Sequence, residues 1–404
     1  MKIAIATILF VIITSVLVFF LILEKGDRLG ETELRNGGEE RWSGQQKDGL
    51  GGTGSPWPMF HGDPQLTGVA QCDLPDTLTL QWKFQTGESV LSSAAISRDR
   101  VYVGSDDGNL YALDLASGEE IWRFSAEDAI GSSPCLLGDV VYVGSSDSFL
   151  YALEAETGIF KWKYETGSRI LGGVNWARVP GEKNARIQVG SYDSKLHCVN
   201  SETGEALWVY ESNHYINGTP AVGNGLAVFG GCDAMIHFVS ADSGDAAARF
   251  DAGSYIAGSA VFAGNRVYVG NYDGEFLCVD SKQREIVWRY EGKAPFFSTA
   301  ALGKDRVVFG GNDMRLHCVE RDTGEAVWTF QAQGDVESSP VISMDKVVVG
   351  SGDGRLYVVR LADGEEIWSY EIGAPIKASP AVAESRVVIG AEDGFVYAFG
   401  PKPE

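Results

Sequence analysis

The stretch VYVGSDDGNLYALDLASGEEIW, Val101 to Trp122, returns forty residues later as VYVGSSDSFLYALEAETGIFKW, Val141 to Trp162. The glycine ending each VxVG-like run indexes the repetition. It falls at Gly104, Gly144, Gly190, Gly230, Gly270, Gly310, Gly350 and Gly390, in steps of 40, 40, 46, 40, 40, 40 and 40 residues. A closing tryptophan gives a second index at Trp122, Trp162, Trp208, Trp288, Trp328 and Trp368. The fourth copy holds Ala248 at that position. The eighth ends after FVYAFG, and its missing piece is at the other end of the chain: LQWKF, Leu80–Phe84, places Trp82 one period ahead of Trp122.

Each copy contains four short runs rich in Val, Ile, Tyr, Phe and Trp, bounded by Gly, Asp, Asn and Ser, which is strand chemistry. In the first copy these are Leu91–Ser97, Arg100–Gly104, Asn109–Asp114 and Glu119–Phe124. Asp-Gly pairs between the second and third runs predict tight primed hairpins, because Gly accepts a positive φ without a Cβ clash. After position 56 no window sustains an apolar i, i+3, i+4, i+7 pattern, so the body is all-β. Four-stranded units at a period near forty predict propeller blades. An open array would expose a raw sheet edge at each end. Pairing LQWKF with the last copy closes the ring. The expectation is an eight-bladed β-propeller over 57–404, its last blade completed by the N-terminal strand.

The repeated indoles are structural. Each removes roughly 150–250 Å² from water, or about 4–6 kcal/mol of gross burial per joint at about 25 cal/mol per Å². Ala248 therefore marks the loosest joint, and Ala248→Trp is expected to raise the melting temperature.

The pattern Ala112-x-Asp114-x-x-x-Gly118-x-x-x-Trp122 resembles the tryptophan-docking motif of the quinoprotein-like (PQQ-like) propeller repeat. It recurs as ALEAETGIFKW, CVNSETGEALW, CVERDTGEAVW and VVRLADGEEIW. WPMFHGDPQLTG, Trp57–Gly68, resembles the lead-in segment of such propellers. The resemblance covers residues 57 to 400 and implies two unlike activities. One branch holds PQQ-dependent alcohol and sugar dehydrogenases. The other is the BamB family, a cofactor-free periplasmic scaffold in outer-membrane protein assembly. Fold alone does not choose between them.

The dehydrogenase branch implies PQQ on the ring axis, a Ca²⁺ held by carboxylate and amide oxygens, and in many members an adjacent cysteine pair. Cys72, Cys135, Cys198, Cys232, Cys278 and Cys318 include no adjacent pair. Cys198, Cys278 and Cys318 take the position of Ala112 and read as small buried hydrophobes, so most cysteines should stay free even where disulfides are permitted. Hard-cation binding needs several converging oxygens, whereas Glu88, Asp128, Asp335 and Glu337 are scattered. His197, His237 and His317 share the position of Tyr111 and read as strand-surface residues. No zinc spacing exists. No PQQ, Ca²⁺ or other cofactor is expected, and no catalytic residue is assigned.

The segments entering the innermost strands repeat a small pair, from Ser92-Ser93 to Ala378-Ser379, as eight strands crowding one axis require. The departures define a candidate partner or ligand site at the channel mouth: Arg169, Asn175, Trp176, His214, Tyr215, Tyr255, Phe296, Glu337 and Lys377, with Phe297 beside them. Aromatic and Arg side chains are common interface anchors. Pro180–Asn184 lengthen the hairpin of the third copy.

The net charge of −22, from 33 basic and 55 acidic residues, excludes nucleic acid as a partner. Ile3 to Leu23 is a run of 21 uncharged residues, long enough to span a bilayer. Lys2 precedes it, no A-x-A cleavage site follows, and the charge bias places the propeller outside the cytoplasm. Residues 1–23 are thus expected to be a single-pass anchor. Residues 24–56, polar and Gly-rich, are a flexible tether. With no cysteine before Cys72, BamB-type lipidation is not available. The residues favour a membrane-anchored, extracytoplasmic scaffold, periplasmic or at the cell surface, for envelope or membrane proteins. A PQQ-dependent oxidoreductase and a ligand-sensing propeller are the alternatives.

Overall fold

The computed structural model describes residues 56–402. The expected span at Ile3–Leu23 and the tether up to residue 55 lie outside the described residues. Among those described, no helix is long and apolar enough to cross a membrane.

Each copy forms one sheet of four antiparallel strands, and eight such sheets follow one another along the chain. In blade one the strands are Ala95–Ser97, Arg100–Gly104, Asn109–Asp114 and Glu120–Ser125, innermost to outermost. The ring closes as the split eighth copy predicts. Thr79–Gln85 pairs antiparallel with Phe395–Gly400, with Trp82 opposite Ala398 and Phe84 opposite Val396.

Two local expectations change. The innermost strand is three residues long rather than the expected run from Leu91, because the small pair Ser92-Ser93 makes side-chain bonds to the next blade instead of a ladder. The Asp-Gly turn is also wider than a two-residue primed hairpin. It spans Ser105–Gly108, and the Asp107 carboxylate closes it by accepting the backbone N–H groups of Asn109 (2.9 Å) and Gly87 (2.6 Å).

The blades are joined at two radii. At the outer radius each indole lies on the turn of the following blade. Trp82 donates Nε1–H to the Leu115 carbonyl (2.9 Å), Trp122 to Ala155 (3.1 Å), Trp162 to Ser201 (3.2 Å), Trp288 to Arg321 (3.0 Å) and Trp328 to Leu361 (2.9 Å). Gly118 shows why the motif demands glycine. Its φ is +74°, and a Cβ there would sit 2.5 Å from Cδ2 of Trp82. At the axis, hydroxyls form a belt. Backbone N–H groups of Ser93, Gly173, Thr219, Ser259, Thr299, Ser339 and Ser379 donate to Ser133, Thr219, Ser259, Thr299, Ser339, Ser379 and Ser93 in turn. The one missing link is from Ser133 to Gly173, which has no hydroxyl. The small pairs thus do more than avoid crowding: each satisfies a backbone donor of its neighbour.

The lead-in segment occupies the axis on the far side of this belt. Trp57 exchanges two backbone hydrogen bonds with Ile96 of blade one. The carbonyls of Pro58, Pro64, Gln65, Thr67 and Gly68 then accept the N–H groups of Leu136, Val222, Phe262, Leu302 and Ile342, on blades two, four, five, six and seven. Blade three contributes Asn175 Nδ2, which donates to Pro64 O (2.8 Å). Val69–Ala70 then adds a parallel strand to blade seven. So short a segment touches seven blades only by winding round the axis. Trp57, Met59, His61 and Leu66 are buried inside it, so this end of the channel is filled and the crossover end is the open one.

Candidate functional site

Two residue types build the open mouth. One comes from the crossovers: Ser89, Ala129, Arg169, Tyr215, Tyr255, Pro295, Asp335 and Pro375. The other comes from the turns between second and third strands: Asp106, Ser146, Tyr192, Cys232, Tyr272, Asn312, Gly352 and Glu392. Each turn residue donates its N–H to the crossover carbonyl of its own blade, as Tyr192 does to Arg169 (3.1 Å) and Tyr272 to Tyr255 (2.8 Å). Its side chain meets the crossover of the next blade.

These contacts order an aromatic arc over blades three to six. The Arg169 guanidinium lies over the Tyr192 ring at 4.3 Å. Tyr192 stacks on Tyr215 with centroids 4.8 Å apart and planes 12° apart. His214 meets Tyr215 edge-on at 4.5 Å. Beyond Cys232, Tyr255 and Tyr272 follow, and Tyr272 lies 5.5 Å from Phe297. Tyr215, Tyr255 and Tyr272 are 43, 58 and 54% exposed, a concentration of wet aromatic surface at one face.

The other half of the mouth is acidic. Glu337 accepts from Asn312 Nδ2 at 3.4 Å, and Lys377 pairs with Glu392 at 3.1 Å. That bond, more than the Glu337 and Asp335 charges beyond it, holds the Lys377 ammonium above its usual range. Burial, and then the Glu88, Asp107 and Glu392 carboxylates, push the Asp106 carboxyl up.

Of the expected mouth residues, Arg169, His214, Tyr215, Tyr255, Glu337 and Lys377 come together here. Asn175, Trp176 and Phe296 do not. Asn175 is fully buried at the lead-in end, bonded to the carbonyls of Pro64 and Pro220. Trp176, 3% exposed, is part of the same packed layer. Phe296 replaces the crossover isoleucine of other blades and points between blades, against Phe309 and His317. Tyr192, Tyr272, Asp106 and Glu392 escaped sequence reasoning. Their signal is the variable second position of the turn, where eight otherwise similar turns carry eight side chains of different chemistry.

The cofactor implied by the dehydrogenase branch finds no suitable donor set. PQQ is an anion, and the two cations here are engaged, Arg169 on Tyr192 and Lys377 on Glu392. Among the described residues no three His, Cys, Asp or Glu side chains converge to hold a metal ion. Cys198, Cys278 and Cys318 are free, buried thiols; burial lifts Cys278 and Cys318 to about 12 and Cys198 higher still. The residues present fit neither PQQ nor Ca²⁺.

The strand histidines are not on the surface. His197, His237 and His317 are 5, 0 and 2% exposed. Each bonds through Nε2 to the aspartate four residues earlier, at 2.9, 3.0 and 3.1 Å. Each Nδ1 meets a tyrosine hydroxyl of the preceding blade: Tyr164 at 3.0 Å, Tyr210 at 2.9 Å and Tyr290 at 2.9 Å. The third strand faces the neighbouring blade at this position, which alternation within one strand does not reveal.

Residues 67–175 and 232–402 match the family model described as outer membrane protein assembly factor BamB. The unmatched stretch between them contains the lengthened hairpin of blade three. No curated protein matches the chain. Among solved structures, BamB from Moraxella catarrhalis aligns with a TM-score of 0.68 at 20% identity, covering 80% of this chain and 100% of that one. The quinohemoprotein alcohol dehydrogenase from Comamonas testosteroni aligns with a TM-score of 0.73 at 14% identity, covering 87% and 82%. The computationally designed Ika8 protein aligns at 0.70 with 18% identity, covering 83% and 99%. At such identities these likenesses show a shared PQQ-like propeller fold. With well over half its length matched by the family model, the chain belongs to the BamB-described family of PQQ-like β-propellers.

Proposed function

We propose that the chain is a membrane-anchored, extracytoplasmic scaffold that binds envelope or membrane proteins through its open mouth. The observation that carries this reading is the asymmetry of the axis. One end is filled by the chain's own lead-in, while the other presents exposed tyrosines that no contact within the propeller covers. Family membership supports protein partners over turnover, and the poor fit of the mouth to PQQ and Ca²⁺ supports it further. The uncharged run Ile3–Leu23 supports the anchor and the placement outside the cytoplasm.

A photo-crosslinking residue at Tyr255, in the full-length chain within native membranes, tests the reading. It should give discrete protein adducts that the same residue at Ile159, exposed on an outer strand, does not give. Equal adducts at both positions, or none at Tyr255, would sink the mouth as a docking face. Dye reduction by alcohols or sugars on adding PQQ and Ca²⁺ would replace the scaffold with an oxidoreductase.

A further inference from the structure

We propose that the open mouth binds an extended basic segment of a partner protein, seating Lys or Arg side chains on Tyr255 and Tyr272 while neighbouring cations meet the acidic arc. The inference rests on the scaffold reading of the same face and names the chemistry of what docks there.

The chain itself displays the contact. Arg169 lies flat over Tyr192, the first ring of the arc, at 4.3 Å. Further along, Tyr255 and Tyr272 present the same kind of face with no cation of this chain over it among the described residues. Equivalent crossover and turn positions elsewhere hold Ser89, Ser146 or Gly352, so the fold does not require a large ring there. Tyrosine offers a guanidinium or ammonium a negative π-face, and its two side-chain torsions are cheap to immobilise.

The opposite half decides the sign of the ligand. Glu337 and Asp335 on blade seven, Glu392 on blade eight, and Glu88 and Asp106 on blade one face it. Lys377 is the cation there, and it is taken by Glu392. The surrounding molecule carries a net charge of −22, which repels anions and draws cations. Tyrosines and acids stand on different blades, so a single small cation meets one half only. A segment with several cations along an extended backbone meets both, which selects a peptide over a metabolite.

The test uses the full-length chain in neutral detergent micelles and fluorescein-labelled peptides of alternating Gly and Arg, with the alternating Gly and Glu peptide as control. Anisotropy titration should show binding of the Arg peptide alone, weakening as salt is raised. The variant Tyr215→Ala/Tyr255→Ala/Tyr272→Ala keeps the charge unchanged and should weaken binding at least about tenfold, from a few tenths to about 1 kcal/mol per cation–π contact. Tyr255→Ala alone should weaken it about threefold and guards against misfolding of the triple variant. Glu337→Gln/Glu392→Gln should weaken binding more than Glu119→Gln/Glu325→Gln on the outer turns. Unchanged binding by the tyrosine variants, or equal losses from mouth and outer acids, would overturn the proposal in favour of diffuse charge. Should the peptide fail to bind while Tyr255 still crosslinks to protein, the basic ligand is wrong and the scaffold stands. Adducts lost with peptide binding intact would sink the scaffold instead.

Discussion

At the position of Tyr111, two side-chain pairs solve one problem. The aspartate of the Asp-Gly turn is half-buried and needs a donor. Tyr111, Tyr151 and Tyr357 supply it directly, at 2.7, 2.7 and 2.8 Å, and the preceding blade packs a phenylalanine on them: Phe84, Phe124 and Phe330. Where histidine replaces tyrosine, the preceding blade supplies a tyrosine, because an imidazole that donates from Nε2 leaves Nδ1 to be satisfied. Tyr290→Phe should therefore cost about 1–3 kcal/mol in chemical denaturation by orphaning His317 Nδ1. Adding His317→Tyr should recover most of that loss, and no recovery would refute the pairing rule. A second exchange corrects the expectation for Ala248. Its docking glycine is also gone: Arg284 stands there at φ +58° and reaches the Ala247 carbonyl at 3.4 Å. Ala248→Trp alone should thus lower the melting temperature, since the indole meets an arginine, and with Arg284→Gly it should raise it. The lead-in adds a pH response. Burial lowers His61 from 6.5 to about 4, opposed by its bond to the Leu66 carbonyl, and burial also lowers His237 and His317. The unfolded chain then binds more protons between those values, so stability is full above about pH 6.5 and falls as pH drops toward 4. His61 accounts for about 3 kcal/mol of that fall at most. His61→Gln should flatten the melting-temperature profile over this window, and an unchanged slope would remove His61 from the account.

Among elements, closure and lead-in bind the ring in different ways. Thr79–Gln85 supplies the outer strand of blade eight, and with it Trp82, which docks on blade one. Deleting Leu80–Phe84 should lower both the melting temperature and the cooperativity, because it opens a ladder and a joint together. The lead-in satisfies innermost edges that would otherwise hold buried, unpaired N–H groups. Trp57→Ala should cost about 3–5 kcal/mol as a large buried aromatic truncation, read by denaturant midpoint. A loss below about 1 kcal/mol would mean that the axis tolerates a loose lead-in. The closing strand was legible in LQWKF because it copies a repeat. The lead-in's path was not, since Trp57–Ala70 has no internal period and each contact is with a different copy.

For the whole molecule, the two ends of one axis are unlike although the blades are alike. The mouth's chemistry comes from positions that the repeat leaves free: a residue after the first of each turn and one in each crossover. Sequence reasoning found half of that set. It also included Trp176 and Phe296, which the fold buries, so a variant that combines them with Tyr215 would disturb packing, whereas Tyr215, Tyr255 and Tyr272 can be truncated without opening the core. Their triple alanine variant should melt with the wild type, and a drop would mean that these rings support the blades. Blade number, ring closure and the indole joints were determined by sequence alone, because a period repeated eight times reports a local preference that each copy confirms. Only the tertiary structure decided which end of the channel is filled, which histidines lie between blades and which side chains share the mouth. Those facts depend on how one blade's turn meets the next blade's crossover, a contact between residues far apart in the chain that periodicity does not encode.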